Sequence, residues 1–144
     1  MQSDSFPAEP YPIEYVDNYD GDTLRVNIPG FPDIIGKKMP IRISGVDTPE
    51  IKTKNKCEKK AARLAKKFIE TRMRDAKKIE IRNIQRGKYF RLVAEVYADG
   101  VNLGEELLNR SLAISYDGGK KTKTNWCLPL QNAKNRRKTD TRIK

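Results

Sequence analysis

Residues 41–50 read I-R-I-S-G-V-D-T-P-E, and they mark the point where the pattern of the chain changes. Ile41 to Val46 alternates as a strand, and Pro49 stops it, because proline has no ladder donor and pushes Thr48 toward an extended conformation. Upstream, Ile13 to Asp17 and Thr23 to Ile28 alternate apolar with polar residues. Asp20-Gly21 supplies turn chemistry between them, so the pair reads as a hairpin. A loop, P-G-F-P-D-I-I-G-K-K-M-P, separates the hairpin from Ile41. Downstream the period becomes three to four: between Cys57 and Ala76, the residues Ala61, Leu64, Ala65, Phe68, Ile69 and Met73 share one face, with lysines and arginines elsewhere. That is the pattern of a long amphipathic helix.

Beyond this helix Ile79, Ile81 and Ile84 alternate with charged residues, and Leu92 to Tyr97 alternates again after a turn at G-K-Y-F-R, residues 87–91. Asn102 to Arg110 has the spacing of a short helix. A last helix is expected around the segment that holds Trp126 and N-R-R-K. Five short strands with a long helix after the third predict a mainly β protein of the α+β class. The expected architecture is a five-stranded OB-type β-barrel with about three packed helices. Residues 1–10 carry two prolines and no periodicity and read as a flexible tail, residues 11–138 as one domain, and residues 139–144 as a basic C-terminal tail.

The 144 residues suit a single domain. Thirty lysines and arginines against nineteen acids give a net charge of +11, which points to a polyanionic partner, nucleic acid or an anionic membrane surface, or else to a merely soluble cationic surface. The sequence shows no apolar run long enough to span a bilayer and no basic-then-apolar leader. There is no histidine, and Cys57 and Cys127 are the only cysteines, so a Cys/His zinc site and Ser-His or Cys-His catalysis are excluded. Acid–base chemistry falls to carboxylates, tyrosine or lysine. The two cysteines are either free and buried or joined in one bridge. A bridge would contribute about 4 kcal/mol in the chain-entropy picture and would imply an oxidising compartment.

Two acidic stretches lie at strand ends, D-G-D-T at 20–23 and D-T-P-E at 47–50. Each alone reads as turn residues. Carboxylates gathered in a cationic chain without histidine suit a hard cation such as calcium. Arg42 enters the strand that delivers Asp47, and Arg91 opens the strand after G-K-Y-F; a guanidinium fork grips two phosphate oxygens at once. A cation beside two such forks is an arrangement for phosphodiester cleavage.

D-G-D-T, then R-x-x-x-x-D-T-P-E, then K-Y-x-R, with a long helix between the second and third, resembles the staphylococcal nuclease (thermonuclease) family from about Tyr15 to Tyr116. The resemblance implies an OB barrel with helices packed on it. It also implies calcium-dependent hydrolysis of DNA and RNA, single-stranded or locally opened, with low sequence specificity at the 5′ P–O bond to leave 3′-phosphate ends. By position, Asp22 and Asp47 resemble the carboxylates that hold one calcium ion, with the Thr48 carbonyl as a further ligand. Glu50 resembles the residue that holds or activates the attacking water, and Arg42 and Arg91 the pair on the scissile phosphate. Lys88 and Tyr89 match positions that grip a neighbouring phosphate, and Tyr116 a tyrosine that stacks on the nucleotide. Asp20 and Thr23 are expected to shape the turn or to contact the metal through water.

A carboxylate beside a dication and two guanidinium groups is a weak base, so Glu50 is expected chiefly to orient the water. Phe90 departs from the glycine common in the family motif, which either reshapes the loop or adds a stacking surface. Y-D-G-G-K-K followed by W-C resembles a branch whose members are often exported. That favours a periplasmic or secreted enzyme over a cytoplasmic one and makes a Cys57–Cys127 bridge worth testing; a monomer with no membrane partner is expected. The competing expectation is a non-catalytic OB module that binds nucleic acid or protein, for which the complete set Asp22, Arg42, Asp47, Glu50 and Arg91 would be superfluous.

Overall fold

Alternating apolar residues on both sides of a bend allow one stretch of chain to serve two edges of a sheet. In the computed structural model, which describes residues 9–119 and 126–127, residues 11–18 do this. Their first part, β1 (Tyr11–Pro12), pairs antiparallel with β6 (Ile79–Arg86). Their second, β2 (Glu14–Asn18), pairs antiparallel with β3 (Thr23–Asn27). Next to β3 lies β4 (Met39–Ile43), antiparallel to it and parallel to β7 (Leu92–Ala98), which returns to β6 and also pairs with the two-residue β8 (Val101–Asn102). The order β1-β6-β7-β4-β3-β2 therefore curls round until both ends meet on a single segment. The expected OB-like architecture is what forms.

The inward faces supply the core. Leu24, Val26, Ile41, Ile81 and Val96 are fully buried, each side chain contributing roughly 1.5–3 kcal/mol relative to exposure. Helix α2 (Lys56–Asp75) follows β4 in the sequence and closes the core with Ala65, Ile69 and Met73. Its start is set by Asn55, whose side chain accepts a hydrogen bond from the Glu58 N–H at 2.9 Å. Leu64 and Phe68 on the expected face are only half-buried, whereas Ala62 is fully buried. Leu64 and Phe68 still pack against the core, and the Phe68 ring also carries the Arg110 guanidinium at 4.8 Å. Helix α3 (Leu103–Asn109) adds Leu103 and Leu107.

The strand expected over Ile41 to Val46 is interrupted. Gly45 adopts a φ of +85°, a turn conformation that glycine takes freely. Val46–Asp47 then forms a separate β5, which pairs with β9 (Ile114–Ser115). A one-turn helix, α1 (Asp33–Gly36), stands in the loop expected before Met39. Glu9, expected in the tail, accepts the Asn83 N–H at 2.5 Å, where the pairing of β6 with β7 slips. The tail residues 1–8, the last helix beyond Cys127 and the basic tail at 139–144 lie outside the described residues.

Cys57, in the first turn of α2, is bonded to Cys127 across 70 residues, and Trp126 beside it is buried. The bridge fastens the chain beyond β9 to the helix. Reducing it, or replacing both cysteines with serine, should lower stability by about 2–4 kcal/mol; an unchanged urea midpoint under reductant would remove that role.

Candidate active site

The site begins with a close approach. A Cβ on Gly21 would lie 2.7 Å from the Ala65 Cβ and 2.9 Å from the Thr48 Cγ2. Gly21 is not among the left-handed glycines, so proximity to α2, and not turn conformation, requires glycine there. Asn18 pins the same turn: its side-chain amide donates to the Asp20 carbonyl at 3.0 Å and to the Lys66 carbonyl of α2 at 3.1 Å. The two carboxylates flanking Gly21 are thereby pressed inward, and Asp20 and Asp22 are both buried.

Antiparallel pairing sets Arg42 opposite Thr23, and its guanidinium reaches the neighbouring acid. Nη1 donates to Asp22 Oδ2 at 3.1 Å, while Nη2 donates to the Val46 carbonyl at 3.0 Å and to Asp47 Oδ1 at 3.4 Å. Asp22 also accepts the Thr48 N–H at 3.0 Å and the Thr23 hydroxyl at 3.1 Å. Asp22, Arg42, Asp47 and Thr48 thus converge in one buried network. The Thr48 hydroxyl oxygen is buried there without a hydrogen-bond partner. Among the described residues no three acidic side chains form a ready-made metal cage; Arg42 already holds Asp22 and Asp47.

The acids divide a charge. Burial, then the charge of Asp22 and more weakly that of Glu50, pushes Asp20 up to about 7. Burial also opposes ionisation of Asp22, but the hydrogen bond with Asp20, the Arg42 guanidinium, the Thr48 N–H and the Thr23 hydroxyl together outweigh it and hold its carboxyl below the usual range. Two carboxylates beside one guanidinium carry a surplus negative charge, and Asp20 keeps the compensating proton.

On its other side Arg42 opens onto a cleft of about 790 Å³. Parallel pairing puts Arg42 across from Val93, and Arg91, two residues before Val93 and just ahead of β7, lines the same cleft. Arg91, Lys88 and Tyr89 line the cleft together with Gln85, Tyr116 and Asp117. The Arg91 Nε is buried without a partner. Tyr116 stands with its ring 5.1 Å from the Arg42 guanidinium and its N–H on the Gly45 carbonyl at 2.9 Å.

Glu50 does not line this cleft. It is exposed just beyond Pro49, and its N–H donates to the Glu58 carboxylate at 3.2 Å. Glu58 also accepts the Thr53 hydroxyl at 2.9 Å, fixing the loop that carries Glu50 to the start of α2. Sequence reasoning gave Asp20 a secondary place and passed over Glu58, Gln85 and Asp117. The D-x-D spacing around a glycine could have flagged Asp20, whereas nothing local marks the other three.

The family model described as staphylococcal nuclease homologue matches residues 40–139 of the chain. Endonuclease YncB of Bacillus subtilis (strain 168) is 38% identical over 96 residues, which cover 65% of this chain and 43% of that protein. The chain thus spans less than half the length of this curated relative.

Two outcomes follow from the geometry. Gly21→Ala should destabilise the fold by about 1–3 kcal/mol, and an unchanged denaturation midpoint would show that the turn has room. Asp20 binds its proton in the folded chain up to about 7 but releases it in the ordinary carboxylate range when unfolded. Its contribution is therefore fully present below that range and is lost as pH rises through about 7. In chelator, the melting temperature should fall from about pH 4 to about pH 7, and less steeply in Asp20→Asn; equal slopes would remove the assignment.

Proposed function

The chain belongs to the staphylococcal nuclease homologue family, and on that footing we propose that it is a calcium-dependent nuclease. It hydrolyses DNA and RNA with low sequence specificity at the 5′ P–O bond, leaving 3′-phosphate ends. The observation that carries the reading is the buried Asp22–Arg42–Asp47 network standing directly behind a cleft lined by Arg91 and Lys88.

The donor set fits calcium. Only oxygens are offered, the acids carry surplus negative charge, and the Thr48 hydroxyl is a buried oxygen without a partner; a hard cation satisfies such a group. Asp22 and Asp47, with the Thr48 carbonyl, would hold it. When bound, the ion supplies Lewis-acid polarisation of the phosphoryl oxygen.

The remaining chemistry falls to the chain itself. Arg91, with its Nε unsatisfied, and Arg42, which forms the wall between acids and cleft, offer guanidinium donors to the charge that gathers on the phosphoryl oxygens in the transition state. Glu50 orients the attacking water, whose oxygen bonds to phosphorus as the 5′ P–O bond breaks. Lys88 and Tyr89 grip an adjacent phosphate, and Tyr116 backs Arg42 and stacks on the nucleotide. Contacts of this kind fix the backbone without reading bases, which accounts for low specificity. The Cys57–Cys127 bond supports a periplasmic or secreted setting, and the enzyme acts as a monomer.

The test is cleavage of single-stranded DNA in calcium, with and without chelator. Glu50→Gln and Arg91→Lys should each lower the rate on the order of a hundredfold, and wild-type rates in either would strike that residue from the machinery. With Glu50 orienting and not deprotonating the water, the rate should climb toward about pH 9 as hydroxide becomes available; a flat profile under saturating calcium would count against that role.

A further inference from the structure

The hairpin that joins β6 to β7 carries two aromatic rings into solvent. Tyr89 is 90% exposed and Phe90 63% exposed. Both residues adopt left-handed backbone, with φ of 56° and 52°, a region that side chains larger than glycine enter only at a cost. The chain thus accepts a strained backbone and an exposed ring at the same residue, and neither ring is among the side chains packed on the core. Strain combined with exposure, and without internal packing to offset it, marks a surface kept for a ligand.

The direction of the tip is fixed. The Gly87 N–H donates to the Arg91 carbonyl at 2.8 Å, and a Cβ on Gly87 would lie 2.9 Å from the Val93 Cγ2, so the hairpin is drawn tight at its base. Lys88, Tyr89 and Arg91 line the cleft. Phe90 lies between them in sequence but is not part of the lining.

We propose that the Phe90 ring is a stacking platform for an unpaired nucleobase of a strand whose phosphates lie against Lys88 and Arg91. The proposal rests on reading the cleft as a nucleic-acid site. Every base has a π-face, so such a platform is indifferent to sequence, but it requires a base that has left its helix. It therefore selects single-stranded or locally opened substrate.

Binding measured by fluorescence anisotropy in chelator, where nothing is cut, separates the possibilities. Phe90→Gly should bind a single-stranded oligonucleotide about tenfold more weakly, and Phe90→Trp should keep the affinity. An abasic strand of equal length should bind wild type and Phe90→Gly alike. The melting temperature of Phe90→Gly should hold or rise, because glycine takes this φ freely; a ring needed for packing would give the opposite sign. Unchanged binding, equal loss on the abasic strand, or a lowered melting temperature would each overturn the platform. So would a dimer by sedimentation that becomes a monomer in Phe90→Gly, since the tip would then belong to a second copy. Metal-dependent cleavage of the same strands is read separately. Base-dependent binding without cleavage removes the hydrolase reading and keeps the platform; cleavage indifferent to Phe90 does the reverse.

Discussion

One guanidinium organises the protein around it. The Arg42 side chain is 9% exposed between carboxylates that are 4% and 11% exposed. Burying such charges is costly unless each is paired and hydrogen-bonded. Here the network joins Asp22 in the turn before β3, Arg42 on β4, Val46 and Asp47 on β5 and Thr48 just after it, so the pairing can be completed only when all these chain segments arrive together. Removing either acid would leave a buried cation short of a partner, and removing the cation would leave neighbouring buried anions. Because the network's members come from several strand ends, misplacement of any one of them leaves a buried charge unpaired. The network also stands behind the cleft, so a group that defines the fold is also part of the cleft wall.

The elements outside that network hold their groups by other means. Arg91 inherits its direction from the parallel pairing of β4 with β7. Glu50 sits on an irregular loop, yet Glu58 ties that loop to the first turn of α2. Gly21 lets the acid turn lie against the same helix. Helix α2 is therefore the common reference for both acidic stretches, although it donates no side chain to the buried network.

Strands and the two longer helices were legible because their signal is periodic and local: Ala61, Ala65, Ile69 and Met73 repeat on a helical face, and Leu24 and Val26 alternate on a strand. The break at Gly45 was not, because glycine in an alternating run fits a strand as readily as a turn until β9 competes for Val46. The arrangement of the acids was partly legible. Spacing marked two acidic stretches and the family resemblance picked Asp22, Asp47 and Arg42 from them and their strand, but that Arg42 lies between the acids depends on register across strands, which no window of sequence contains. The raised affinity of Asp20 for its proton likewise depends first on burial against α2, which the D-G-D spacing does not reveal, and only then on the charge of Asp22 beside it.

The bond between Cys57 and Cys127 turns the stretch carrying Lys88, Arg91 and Tyr116 into a closed covalent circuit. A single backbone scission anywhere in that circuit opens it without setting a fragment loose. Both new ends stay tethered to α2 and, through Glu58, to the loop of Glu50. A molecule nicked once within that circuit remains one covalent unit.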